Sequence, residues 1–126
     1  MVAIGGGQAH AAHEHDEHLK TLGECFKVCN EAARHCLDEL KKGGPHADQH
    51  AKSHEATMDC QSFCAMTAAL MARGSSMAAY AHRACADACR DCATACESQQ
   101  SDIMKECVTT CRACEKVCRT MISAAR

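Results

Sequence analysis

Residues 85–96 read CADACRDCATAC, and residues 107–118 read CVTTCRACEKVC. Both stretches have the form C-x3-C-x2-C-x3-C, with Cys-Arg-x-Cys at the centre. Steps of four, three and four residues stack side chains along one face of an α-helix. Neither stretch contains Gly or Pro, and β-branched residues are few. The pattern predicts two helices, each with a file of thiols down one side. Facing files of sulfur are a ligand array suited to a soft metal.

The same rhythm continues outward. A first helix is expected over about residues 16–42, with Leu22, Cys25, Cys29, Ala32, Cys36 and Leu40 on one face and Ala32 in the slot a further Cys would fill. Gly43-Gly44-Pro45 ends it, since Gly suits the position beyond a helix and Pro the first turn of the next. A second helix, about 46–73, has Thr57, Cys60, Cys64, Thr67 and Met71 inward, flanked by Phe63 and Leu70. Gly74-Ser75-Ser76 makes the turn, with a Ser to cap a third helix over 76–97. Arg83 and Asp87 stand in ion-pair register on its outer face. After a turn at 98–101, Asp102 opens a fourth helix that runs to about residue 123. Met104 and Met121 extend its thiol file, and Glu115 and Arg119 lie outside.

Four amphipathic helices with short connections predict an all-α fold, an antiparallel up-down four-helix bundle with a thiol-lined core. Counted from the turns, Cys29, Cys60, Cys89 and Cys111 fall near one layer. Cys36, Ser53, Cys96 and Met104 fall nearer the end with the first and third turns. Cys85 to Cys96 spans about 16 Å at helical rise, so the thiols form a column and not one compact site.

The totals agree with one domain of 126 residues and a formal charge of −2. That charge leaves no basic footprint for nucleic acid, and the apolar runs are too short to span a bilayer. Thirteen cysteines approach the density of a disulfide scaffold. The odd count and the helical spacing oppose that reading. Thiols at i and i+4 also have Cβ atoms about 5–6 Å apart, where a disulfide wants about 3.5–4.5 Å. Leu, Ile, Val and Phe total only 14 residues, against 24 alanines. Cysteine packs as a small hydrophobe, so the thiol files must supply much of the interior. A modestly stable metal-free form, stiffened by metal, is the expectation.

Residues 1–15 are read as a flexible or short helical His-rich segment ahead of the bundle at 16–126. Residues 1–12 show no helical pattern. Ala9-His10-Ala11 has the form of a signal-peptidase site, and the Gly-rich lead-in fits the tail of a trimmed export signal. An exported, periplasmic protein is expected on that reading, and a cytoplasmic one with a plain N-terminus on the other. His10, His13, His15 and His18 form either a weak outer metal site or a solvated tail.

The cysteines sort into six C-x3-C pairs, Cys25/Cys29, Cys60/Cys64, Cys85/Cys89, Cys92/Cys96, Cys107/Cys111 and Cys114/Cys118, with Cys36 single. Each pair points two sulfurs the same way, with room for one ion between them. That suits Cu(I), which accepts two soft ligands. Zinc takes four in a tetrahedron, which two pairs on facing helices could supply. An Fe–S cluster is usually held by a compact loop, and uninterrupted helical spacing argues against it. One C-x3-C pair alone is more often two core cysteines; six are too many reactive thiols for filler. Met66, Met71, Met77 and Met121 read as core filler, whereas Met104 stands on the thiol stripe. His35 is either a boundary residue or an accessory ligand. His46, His50 and His54 either face water or receive metal. No nucleophile–base arrangement or phosphate loop is visible, so no enzyme is expected.

The C-x3-C pairs, the Ala-Arg-His-Cys segment at 33–36 and the twin blocks at 85–96 and 107–118 resemble the bacterial copper storage proteins, Cys-rich four-helix bundles that hold many Cu(I) ions. The likeness covers nearly the whole chain after residue 15, and the cysteine count is closer to the exported branch. It implies storage of multiple Cu(I) ions by core thiolates, a homotetramer, and copper entry at one open end guarded by His and Met. A copper chaperone or copper-requiring enzyme would be the recipient. His35 matches the family's His beside a Cys. Glu39 and Lys42, with Leu40 between, stand where the family has methionines, so Met104 with His46 or His50 is expected to guard the entrance. The competing reading from the residues is a broad thiol buffer for Zn or Cd, and behind it an Fe–S electron carrier.

Overall fold

The computed structural model describes the backbone of residues 6–124, and side chains from His15 onward. Four helices follow in order: α1 (Gly6–Lys42), α2 (Ala47–Ala72), α3 (Ala78–Cys96) and α4 (Asp102–Ala124). α1 packs on α2 and α4, and α3 packs on α2 and α4, so the helices stand at the corners of a square. The topology is the expected antiparallel bundle. One end carries the α1–α2 and α3–α4 turns. The other carries the α2–α3 turn.

Each boundary has a local cause. Gly43 and Gly44 take positive φ (73° and 108°), which L side chains adopt only with strain, and they turn the chain out of α1. At the end of α2, the Gly74 amide donates to Met71 O at 3.1 Å and the Ser75 amide to Leu70 O at 2.9 Å. With Gly74 at φ 66°, this is a Schellman termination.

Four details differ from the sequence expectation. α1 begins at Gly6, ten residues earlier than Asp16, so His15 and His18 ride on the bundle helix. Gly6 and Gly7 argue against helix, but the alanines and the long helix behind them carry it through. His10 and His13 have side chains outside the described set. α3 begins at Ala78 with Met77 before it and no side-chain cap; Ser75 Oγ instead accepts the Met77 amide at 3.1 Å. Asp87 pairs with Arg119 of α4 at 3.0 Å and with Arg90 at 3.3 Å, so its strongest partner sits across the helix interface and not at Arg83. Met66 and Met77 are exposed, at 45% and 54%, and so are not core filler. Met71 is buried as expected, and Met121 packs on the core. Arg119 also holds Glu115 at 3.2 Å, the expected outer pair. No described helix is long and apolar enough to cross a membrane.

The core is made of sulfur and small groups. All thirteen cysteines have zero exposure, and none forms a disulfide. Leu22, Val28, Ala32, Ala86, Ala93 and Met104 are buried with them. Thr57 and Thr67 are inward, and their hydroxyls are satisfied by main-chain oxygens. Thr57 Oγ1 donates to Ser53 O at 2.8 Å, and Thr67 Oγ1 to Ala81 O at 3.2 Å. A buried hydroxyl without such a partner costs about 1–3 kcal/mol.

Candidate metal centre

Four helices each turn a file of thiols to one axis. Along single helices, Cys25–Cys29, Cys60–Cys64 and Cys85–Cys89 have sulfur separations of 3.9, 4.0 and 4.0 Å. Between helices the sulfurs are as close or closer: Cys29–Cys111 at 3.5 Å, Cys60–Cys89 at 3.6 Å, Cys64–Cys85 at 3.8 Å, and Cys25 with both Cys60 and Cys111 at 3.9 Å. The unit is therefore not the C-x3-C pair of one helix but a group drawn from several.

Four such groups have their sulfurs mutually within 4.8 Å: Cys25/Cys60/Cys64/Cys89, Cys25/Cys29/Cys60/Cys111, Cys29/Cys92/Cys107/Cys111 and Cys64/Cys85/Cys89/Cys114. Six thiols, Cys25, Cys29, Cys60, Cys64, Cys89 and Cys111, belong to two groups each. The column is continuous, because each group shares sulfur with the next. A metal–sulfur bond of about 2.3 Å sets sulfurs about 3.8 Å apart around a tetrahedral ion and about 4.6 Å apart across a linear one. Small rotations about χ1 open a touching pair to the linear span.

Cys36, Cys96 and Cys118 stand outside these groups, at the ends. Cys36 lies 3.9 Å from the Met104 thioether. Above them, His35, Glu39, His46, Gln49, His50 and residues 98–101 line a cleft of about 390 Å³. Ser101 Oγ and His35 Nε2 are 3.4 Å apart. Gln99 donates to Ser53 Oγ at 2.5 Å, and Ser53 donates to Ala95 O at 3.1 Å. The structure thus brings His35, Met104, His46 and His50 to the same end of the bundle. His50 Nδ1 is buried with no partner. His46 is exposed, and His54 half-buried.

Proton affinity is unevenly shared. Burial pushes the Cys36 thiol up to about 11. Cys107 beside it, and then burial, push Cys96 up to about 12. Inside the column, Cys60 and Cys107 beside Cys111, and Cys114 beside Cys118, are pushed down. Cys29, Cys92 and Cys111 beside Cys107, and Cys64 and Cys89 beside Cys114, are pushed up. Neighbouring thiols therefore hold their protons jointly and unevenly. A soft cation seated beside them releases further thiol protons.

At the opposite end the structure places one residue, His82, that the C-x3-C pattern does not flag. His82 is 3% exposed, and its Nδ1 has no partner. Burial, then the neighbouring His18, pushes its pKa down. The available signal was spacing: His82 stands three residues before Cys85, on the same stripe.

A family model described as copper storage protein matches residues 11–123. The chain belongs to the copper storage protein family. A solved structure of a Cu(I)-bound copper storage protein, BsCsp3, superposes with a TM-score of 0.77 at 23% identity, over 86% of this chain and 98% of that one. A crystal structure of a protein from Nitrosospira multiformis gives a TM-score of 0.75 at 31% identity, over 90% and 98%. No curated protein matches the chain. In this copper storage protein the sulfurs are shared from the group with Cys92 and Cys107 to the group with Cys85 and Cys114.

Proposed function

We propose that the protein stores several Cu(I) ions on the thiolates of its column, without catalysing a reaction. The observation that carries this is the overlap of the four-thiol groups in a core without a cation: the buried polar residues are Ser53, Thr57, Gln61, Thr67, His82 and Gln99. Buried negative charge with no counter-charge is costly. A divalent ion held by four thiolates leaves two charges uncompensated. Cu(I) ions bridged by shared thiolates approach neutrality as the ion count approaches the thiolate count. The column thus favours filling with a monovalent soft ion at high ratio. All thirteen cysteines are the proposed ligands. His35, Met104, His46 and His50 are accessory residues at the entrance.

A zinc or cadmium buffer draws on the same four-thiol groups, and their near-tetrahedral sulfur spacing is the observation in its favour. Anaerobic titration of the reduced protein with Cu(I) and with Zn(II), each against a competing chelator, separates the two. Storage requires tighter uptake of Cu(I), at ratios well above one ion per four thiols. A zinc ceiling near that ratio with weaker Cu(I) uptake reverses the assignment.

Assembly is a further part of the reading. Phe26, Met58, Met66, Met77 and Tyr80 are large apolar side chains left exposed, Tyr80 at 70%. They support a homo-oligomer, with a tetramer implied by the family. Light scattering on the purified chain decides the number. A copper chaperone or copper-requiring enzyme is the proposed recipient.

A further inference from the structure

The end of the bundle away from His35 has its own cluster of nitrogen and thioether donors. His82 on α3 is almost fully buried, and among the described residues its Nδ1 meets neither donor nor acceptor. His18 on α1 has a buried Nδ1 in the same condition, and it lies near enough to act electrostatically on His82. His15, three residues earlier on the same helix face, is oriented from behind: its Nε2 donates to the Met71 carbonyl oxygen at 2.9 Å. That bond fixes the tautomer and leaves Nδ1 with the free lone pair, as an outer partner does for a metal-binding imidazole. His15, Met71, His82 and Met121 line one cleft of about 450 Å³, with no carboxylate or cationic side chain among its lining residues.

We propose that this end is a second soft-metal site, in which His18 and His82 bind Cu(I) next to the last thiols of the column, with Met71 and Met121 lining the cleft at His82. A buried imidazole nitrogen without a partner is costly unless something occupies it. Water could satisfy one such atom. The thioethers beside it select a soft ion instead. The position is continuous with the thiols: His82 precedes Cys85 by three residues, Met121 follows Cys118 by three, and Cys85 touches Cys64 at 3.8 Å. An ion held here stays Cu(I). Moving to Cys85 or Cys118 exchanges nitrogen for sulfur, and the thiol that takes the ion loses its proton to solvent. The column then has an opening at each end. The inference rests on the copper-storage reading.

The test uses the full, reduced chain labelled with 15N in histidine, titrated anaerobically with Cu(I). Copper–thiolate absorbance is followed in the same samples. The Nδ1 resonances of His18 and His82 should move as copper is added, and His35→Gln should leave those shifts in place. The double variant His18→Gln/His82→Gln should take up copper several-fold more slowly than the parent. If absorbance grows to saturation while both resonances stay where they were, the second site is wrong and storage survives. If no absorbance develops, both fail. Because the resonance shifts are read on the unaltered chain, a variant that folds poorly does not remove the test.

Discussion

The middle of the column and its ends are built from different neighbours. In the middle, sulfur touches sulfur, and Cys25, Cys29, Cys60 and Cys111 lie mutually within 4.8 Å. At the ends, the last thiols meet other chemistry: a thioether at Cys36, and imidazoles at the level beyond Cys85. The middle offers many equivalent ligands and little access. The ends offer few thiols and mixed donors. On the proposed reading, capacity belongs to the first region and traffic to the second.

Metal itself should produce the largest effect on this contrast. Each ion bound with free metal about a thousandfold above its Kd adds about 4 kcal/mol. For a domain of this size that raises Tm by more than about 10 °C. Anaerobic calorimetry of metal-free and Cu(I)-loaded protein checks it. An unchanged melt at full occupancy would show that the interior gains no strength from the metal.

Next comes the comparison of thiols. Cys111 serves two groups, whereas Cys118 serves none. Cys111→Ala should lower copper capacity by more than one ion, and Cys118→Ala by at most one, as counted by native mass spectrometry. Equal losses would erase the distinction between middle and end. Met104→Leu should act on traffic alone. A volume-conserving swap costs less than about 1.5 kcal/mol, so capacity and melt should hardly move. Stopped-flow uptake should slow, and unchanged rates would remove Met104 from the entrance.

The smallest effect is on pH. Burial holds the folded-state pKa of His82 below its ordinary value, so the unfolded chain binds the extra proton first. Metal-free stability that His82 contributes is present above the usual histidine pKa of about 6.5 and is lost as pH falls through the lowered folded value. Urea melts at pH 7 and pH 5 should show this loss, and His82→Gln should flatten it. An equal slope in the variant would assign the acid sensitivity to other groups.

The fold was legible because cysteine marks one face of every helix. Steps of three and four through Cys60, Cys64, Thr67 and Met71 place the second helix as surely as a stripe of leucines would, and Gly43 and Gly74 mark where two helices stop. The grouping of thiols was less legible. A spacing of four residues along one helix says that two sulfurs point the same way, but not that Cys29 lies closer to Cys111 than to Cys25. Register between helices is set by turn geometry and packing, which no single stripe contains. His82 went unmarked because an alanine-rich approach to a Cys file gives no polar contrast. The early start of α1 was hidden by Gly6 and Gly7, whose local preference is overridden by the helix that follows.

Shared sulfurs also govern the statistics of filling. A thiolate already stripped of its proton for one ion is ready to bridge the next, so neighbouring positions are not filled independently. A half-supplied population should divide into nearly vacant and nearly complete molecules, with few in between. A cell drawing on such a reserve would then empty it one protein at a time.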